Sequence, residues 1–361
     1  MSLNHSIFKK VYLFLGSLLG ICLSLPLTAS AHEAYVLDRT FFWQELRGPF
    51  SLRALEALRD PHNVYVAILI TVAILVALFL NFFFRRSNLG QKMNASLEKL
   101  SEYGPLFVRL AIAAAFFYSA ESASFLGPEL PLSSMPYAGL LRGALFFASG
   151  AILLGFLTEL AALISLIIFT LGFFVFGSYL FTYLNYLGEI VVLLLFGMRK
   201  WSLDGLIFGS NKTLKTFLKL KKYETTIMRV FYGAALIFAA VTVKFLHPAL
   251  TLEVINHWNL TQFHWLFPND PLLVTLGAGL SECAIGLFII LGFEMRLTIL
   301  VSLFYITLSL MFFRELVWPH LMLYGISFNL LVQPEVFTLD HLLFDRKIRF
   351  WKRPFLPHGI E

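Results

Sequence analysis

Residues 109–130 read RLAIAAAFFYSAESASFLGPEL, and residues 229–250 read RVFYGAALIFAAVTVKFLHPAL. Each stretch opens on an arginine, runs apolar, and closes on Phe-Leu-x-Pro-x-Leu at the same spacing. The echo continues down the chain. Leu154-Gly155-Phe156 with Glu159 answers Leu291-Gly292-Phe293 with Arg296. Trp201-Ser202-Leu203-Asp204-Gly205-Leu206-Ile207-Phe208 answers Phe337-Thr338-Leu339-Asp340-His341-Leu342-Leu343-Phe344. Self-similarity over this length predicts two copies of one structural unit. The expected fold is all-α: an integral membrane protein of about nine transmembrane helices, made of two parallel four-helix repeats and one preceding span.

Composition agrees with that class. Of 361 residues, 58% are apolar and 14% charged, where soluble domains carry roughly a quarter charged. The 39 phenylalanines suit a lipid-facing surface. The net charge of +6 is explained by lysines and arginines flanking spans on the cytoplasmic side, so it is no sign of nucleic-acid binding. Cys22 falls in the expected leader, which leaves Cys283 alone and excludes CxxC chemistry within the chain.

In chain order, residues 1–31 have the form of a signal peptide: Lys9 and Lys10, an apolar run, then Thr28-Ala29-Ser30-Ala31. Cleavage after Ala31 is expected, with a retained anchor as the alternative. Residues 32–63 form an extracytoplasmic amphipathic segment broken at Gly48-Pro49, its second helix capped by Ser51. The first span covers 64–86 and ends on Arg85-Arg86. Repeat 1 occupies 105–209, with spans near 106–126, 138–157, 160–179 and 183–198. A basic cytoplasmic linker, 210–226, carries Lys212, Lys215, Lys219, Lys221 and Lys222. Repeat 2 occupies 227–345, with spans near 227–246, 271–292, 297–313 and 316–333, and a basic tail fills 346–361. The basic residues mark every expected inner end and spare the long loop 247–270. The chain is therefore expected in the cytoplasmic (inner) membrane, with its mature amino terminus outside and its carboxyl terminus inside. Four spans per repeat give both copies one orientation, whereas inverted transporter repeats have opposite orientations.

Charges inside a bilayer are costly, so each is a functional candidate. Glu121, Arg142 and Lys244 lie towards the outer ends of their spans. Glu121 is expected to pair with Arg142 or with Lys244. Glu189 and Glu282 lie deeper and have no partner nearby in sequence. A buried carboxylate can take up and release protons, which quinone chemistry and proton-coupled transport both need. For all five, structural ion pairing or snorkelling is the competing explanation. His32, His62, His247, His257, His264 and His320 form an outer set. Their spacing matches no ligand motif, and no metal site is assigned. No histidine lies deep enough in a span to ligate haem, and GxGxxG, P-loop, GxSxG and HExxH are absent.

Arg109 opening the first helix, the Leu-Gly-Phe turn and the closing Ser202-Leu203-Asp204-Gly205-Leu206 resemble the DoxX family. Thr338-Leu339-Asp340-His341-Leu342 is a looser second match. The resemblance covers about 105–345, and its tandem arrangement departs from the family's single unit. It implies a membrane-embedded bundle and, in the DoxD-like branch, a subunit of a thiosulfate:quinone oxidoreductase. Asp204 and Asp340 are expected to be structural, anchoring one end of each bundle. The leading expectation is a redox- or quinone-linked membrane subunit with a polar site toward the outer face; its cofactor is left open, with quinone the candidate. Glu189, Glu282 and Glu121 would handle protons, with Arg142, Lys244 and the loop histidines on the ligand. Partners would be the lipid membrane and an extracytoplasmic redox protein or a second copy. A small-solute transporter or channel and a non-catalytic scaffold are the alternatives.

Overall fold

A computed structural model of the chain describes residues 37–197, 201–208, 220–262, 269–333 and 337–342. The expected signal peptide, His32, His264, most of the basic linker and the tail lie outside these residues. The first helix, α1 (Arg39–Leu46), is capped by Asp38, whose carboxylate accepts the Thr40 and Phe41 N–H groups. A 3₁₀ turn follows at Arg53–Arg59. Ser51 does not cap it by side chain; the Ser51 N–H instead donates to Leu246 O at 2.9 Å. Then come α2 (Pro61–Arg86), capped by Asp60 with Pro61 in its first turn, and α3 (Asn88–Glu98).

The first half contains α4 (Gly104–Glu121), α5 (Ala138–Leu154), α6 (Thr158–Phe176), a 3₁₀ stretch Gly177–Tyr183, α7 (Leu184–Phe196) and the short α8 (Leu203–Phe208). The second contains α9 (Glu224–Ala240), a π-helical stretch Val241–Leu246, α10 (Pro248–His257), α11 (Pro271–Leu291), α12 (Met295–Phe312), a 3₁₀ turn Trp318–His320 and α13 (Leu321–Val332). The chain is a multi-pass helical membrane protein. Six helical runs among the described residues are long and apolar enough to cross a bilayer: Pro61–Arg86, Asn88–Glu121, Thr158–Phe196, Lys221–Leu246, Pro271–Leu291 and Met295–Phe312. This differs from the nine spans expected. The 39-residue run Thr158–Phe196 holds two expected spans, joined through its 3₁₀ stretch at Gly177. α5 has 17 residues and α13 has 12, short of the roughly 20 a crossing needs.

The chain is not purely helical. α4 stops at Glu121 rather than continuing to 126. A small antiparallel hairpin, β1 (Ser124–Phe125) and β2 (Gly127–Pro131), follows it. The hairpin pairs backbone groups that an irregular loop would leave unmet.

Packing interlocks the halves. α4 packs on α5 of its own half and on α13 of the other, while α9 packs on α11 and on α7. Glycines permit both crossings: a Cβ on Gly325 would meet Ala111 Cβ at 2.5 Å, and one on Gly188 would meet Phe231 Cβ at 2.5 Å. Phe42 on α1 is fully buried, edge-on to Tyr179, so α1 is part of the bundle rather than a free interfacial helix. Phe50, Leu52, Leu55 and Leu58 after it do point outward, as an interfacial segment requires.

α2 is different. Residues 68–77 are exposed at every position, so no face of its middle lies against protein. Its two ends are held instead. Asn63 donates to Asp270 Oδ2 at 2.6 Å at one end, and Arg85 reaches Asp340 at 2.7 Å and Glu294 at 3.2 Å at the other.

Candidate functional site

Two ends of the bundle hold distinct polar groups, here named the clasp end and the hairpin end. At the clasp end the same arrangement occurs twice. Arg109 Nη2 donates to Trp201 O at 2.8 Å, and Arg229 Nη2 donates to Phe337 O at 2.8 Å. Asp204 accepts the Leu157 and Thr158 N–H groups at 3.0 and 3.1 Å; Asp340 accepts those of Glu294 and Met295 at 2.8 and 3.0 Å. Each aspartate thus fills the open amide positions at the start of a helix. Gly155 (φ 63°) and Gly292 (φ 64°) make the turns beside them. A Cβ on Gly155 would lie 2.3 Å from Ser202 Cβ, and one on Gly292 would lie 2.2 Å from Arg229 Nη1. Both arginines are 4% exposed, with Nε and Nη1 unpartnered among the described residues.

Between the two ends lies an ion pair. Lys244 Nζ is 3.1 Å from Glu282 Oε2, with side chains 5% and 17% exposed. Lys244 sits in the π-helical stretch, a wide turn that recurs at functional sites. Glu282 is about eleven residues past the start of α11, roughly 16 Å along its axis and so near its middle. Lys244 pairs with Glu282 and not with Glu121, so Glu282, which has no partner nearby in sequence, finds one across the fold. The two residues come together because α9 and α11 are antiparallel neighbours, a relation sequence spacing does not show. Cys283 is half-buried beside the pair.

The hairpin end has two buried carboxylates. Glu129, 1% exposed, accepts Tyr179 and Tyr183 hydroxyls on Oε1 at 3.0 and 2.6 Å. Glu315, 5% exposed, lies 2.7 Å from His320 Nε2 and accepts the Ser309 hydroxyl. The imidazole's Nδ1 is 2.8 Å from Leu316 O. Tyr186 links the clusters by donating to Pro319 O at 3.3 Å. The carboxylate lies between serine and histidine, so this is not the order a nucleophilic serine needs.

The other expected residues are dispersed. Glu121 is exposed, and Arg142 does not pair with its carboxylate. Arg142 donates instead to Ala120 O and Glu121 O at 2.7 and 3.2 Å, meeting the last carbonyls of α4. Glu189 is fully buried, with both carboxylate oxygens lacking a hydrogen bond among the described residues. His247 is buried edge-on to Phe50, while His257 is exposed beside Trp258. Among the described residues no three His, Cys, Asp or Glu side chains gather as a metal-ligand set. Glu129 and its tyrosines were not among the expected site residues. The available signal was the cluster of Tyr179, Tyr183 and Tyr186 in one short stretch; the 3₁₀ turns that carry the first two bring both hydroxyls to Glu129.

The chain matches no protein-family model, and no curated protein or solved structure is significantly similar to it.

Proposed function

We propose that the chain is a tandem DoxX-like protein of the inner membrane, with nine crossings and its clasp end in the cytoplasm. In this reading it is a redox-linked subunit whose working pair is Lys244 and Glu282. The observation that carries it is the Lys244–Glu282 ion pair itself, held near the middle of α11. Buried charge at membrane depth costs several kcal/mol and is kept where it serves a function. The paired clasps, the matching glycine crossings and the exchanged helices support a duplicated four-helix unit. Three short helices are read as crossings together with their flanking turns.

The residues suit a quinone. An ammonium donates to a ring carbonyl, a carboxylate accepts from a quinol hydroxyl, and exposed Leu280 and Leu287 on α11 offer the isoprenoid tail an apolar flank. A bound quinone would supply two-electron carrier chemistry. Lys244 would orient the ring by its N–H and Glu282 would hold or release the proton, each restraining the other's charge in its absence.

The test is extraction of the purified protein and identification of bound quinone by chromatography and mass. Near-stoichiometric quinone, retained in Arg142→Ala but lost in Glu282→Gln and Lys244→Met, supports the reading. If wild-type protein carries no quinone and instead moves solute in proteoliposomes, the pair belongs to a transport path. If Glu282→Gln and Lys244→Met leave both bound quinone and growth unchanged, the pair only holds α9 against α11.

A further inference from the structure

The turn between α1 and α2 sorts its side chains by threes. Arg53–Arg59 is a 3₁₀ helix, in which residues i and i+3 eclipse. Ala54 and Ala57 form one row; they are buried and pack with Leu273 and Leu276 of α11. Leu52, Leu55 and Leu58 form a second row, each about half exposed, with Phe50 exposed before them. Arg53, Glu56 and Arg59 form the third, and all three are exposed. An α-helix of the same residues would turn Arg59 about 120° away from Arg53. The 3₁₀ form keeps the apolar and charged rows straight and side by side.

A cavity of about 540 Å³ opens where these two rows meet, lined by Ser51, Leu52, Arg53, Leu55, Glu56 and Arg59. That volume suits a small polar ligand. The turn beneath it is pinned in place: Ser51 N–H donates to Leu246 O, and Asn63 Nδ2 donates to Ala57 O at 3.0 Å.

The charges along the groove alternate. Arg53 has no ion pair among the described residues, while Glu56 lies 3.5 Å from Arg59, whose side chain is 80% exposed. One 3₁₀ turn, about 6 Å, separates each charge from the next. A purely anionic group on Arg53 would also meet the Glu56 carboxylate. A group with a phosphate and an ammonium on neighbouring atoms satisfies both. Glu56 only accepts hydrogen bonds, so it favours an ammonium that carries N–H over a methylated one. Acyl chains would then start along the leucine row. The chain runs on from this turn into α2, whose residues 68–77 are exposed at every position and offer those chains an apolar length.

We propose that this groove holds the headgroup of a phosphoethanolamine lipid from the leaflet at the hairpin end. Its phosphate sits on Arg53 and the Ser51 hydroxyl, and its ammonium on Glu56. The proposal stands apart from the Lys244–Glu282 reading and from quinone.

The test is native mass spectrometry of the delipidated full chain, titrated in turn with dioleoyl phosphatidylethanolamine, phosphatidylcholine and phosphatidylglycerol. One phosphatidylethanolamine is expected to bind more tightly than either of the others by about two- to fivefold, the worth of an exposed ion pair. Glu56→Gln removes the preference over phosphatidylcholine and shifts binding towards phosphatidylglycerol. Arg53→Gln weakens all three lipids, and Arg47→Gln, an exposed arginine outside the groove, changes none of them. The substituted positions are exposed, so the variants keep the fold, which a thermal melt by circular dichroism checks. Equal binding of the three lipids by the wild type marks an ordinary annular layer and overturns the proposal. Tightest binding of phosphatidylglycerol by the wild type marks a plain basic patch and also overturns it. So does a phosphatidylethanolamine preference that survives Arg53→Gln and Glu56→Gln combined.

Discussion

His247 enters the hairpin end as a buried imidazole packed on Phe50, with Nδ1 unpartnered among the described residues. Burial pushes its pKa below the ordinary 6.5, and nearby Glu45 works in the opposite direction. The unfolded chain therefore binds this proton more readily than the folded one. The stability His247 contributes is present above about pH 6.5 and is lost as pH falls through the lower folded value. Hydrogen exchange around residues 50–51 and 247–250 should accelerate on acidification below pH 6.5, and His247→Gln should flatten that response. Glu189 poses a different problem. A buried carboxylate with no hydrogen bond costs about 1–3 kcal/mol or more. Glu189→Leu should accordingly raise the thermal midpoint while abolishing whatever proton-dependent activity the protein has; a lower midpoint would mark Glu189 as a structural residue. These two residues were legible in the sequence as candidates, but their surroundings were not. Glu129 was missed altogether, because its tyrosine partners stand 50 and 54 positions away on another element.

The clasps can be compared as elements. Asp204 meets two amides and the Thr158 hydroxyl, and Asp340 meets two amides and Arg85. Asp204→Ala leaves buried N–H groups unmet and should cost about 1–3 kcal/mol. Asp340→Ala should cost more, because it also removes the nearer of the two carboxylates that hold Arg85 and loosens the foot of α2. Denaturation in mixed micelles, read separately by probes on α2 and α8, measures the difference. The second clasp alone has a carboxylate, Glu294, where the first has Leu157. Burial raises Glu294 above the ordinary 4.5, Arg85 lowers it and Asp340 raises it. The folded state holds this proton more readily, so its contribution is full below about pH 4.5 and is lost as pH rises through the folded value. Glu294→Gln should remove that dependence from α2 detachment and leave the first clasp unaffected. The clasps were foreshadowed in the sequence because their parts, Leu-Gly-Phe and Ser/Thr-Leu-Asp, are local motifs. The hairpin was not, since Phe125-Leu126-Gly127-Pro128 also fits the frayed end of a longer helix.

At the level of the whole molecule, each half supplies the other with a packing surface: α4 to α13, and α9 to α7. Neither half should then be stable alone. Co-expressed fragments divided between residues 209 and 219 should co-purify and resist protease together, and each should be degraded singly. Reporters placed at residue 92 and within 209–219 should fall on the same side of the membrane if four crossings separate them. Hydropathy made the membrane class plain, and the repeated arginine and Leu-Asp motifs pointed to duplication. The number of crossings was less legible, because the apolar run Thr158–Phe196 continues through the 3₁₀ stretch at Gly177 and because α5 and α13 fall short of a full crossing.

α2 touches the bundle at its two ends and stands clear of it between them. Such a helix stores its sequence information very unevenly. Positions 68–77 have only to be apolar and helix-forming, so a saturation library there should tolerate almost any exchange among Leu, Ile, Val, Phe and Ala. Intolerance should appear abruptly at Asn63, Asn81 and Arg85, the residues that tie α2 to Asp270, Glu294 and Asp340. Among related chains, this segment should drift fastest in identity while keeping its length, because the distance between its two anchors is what the fold reads.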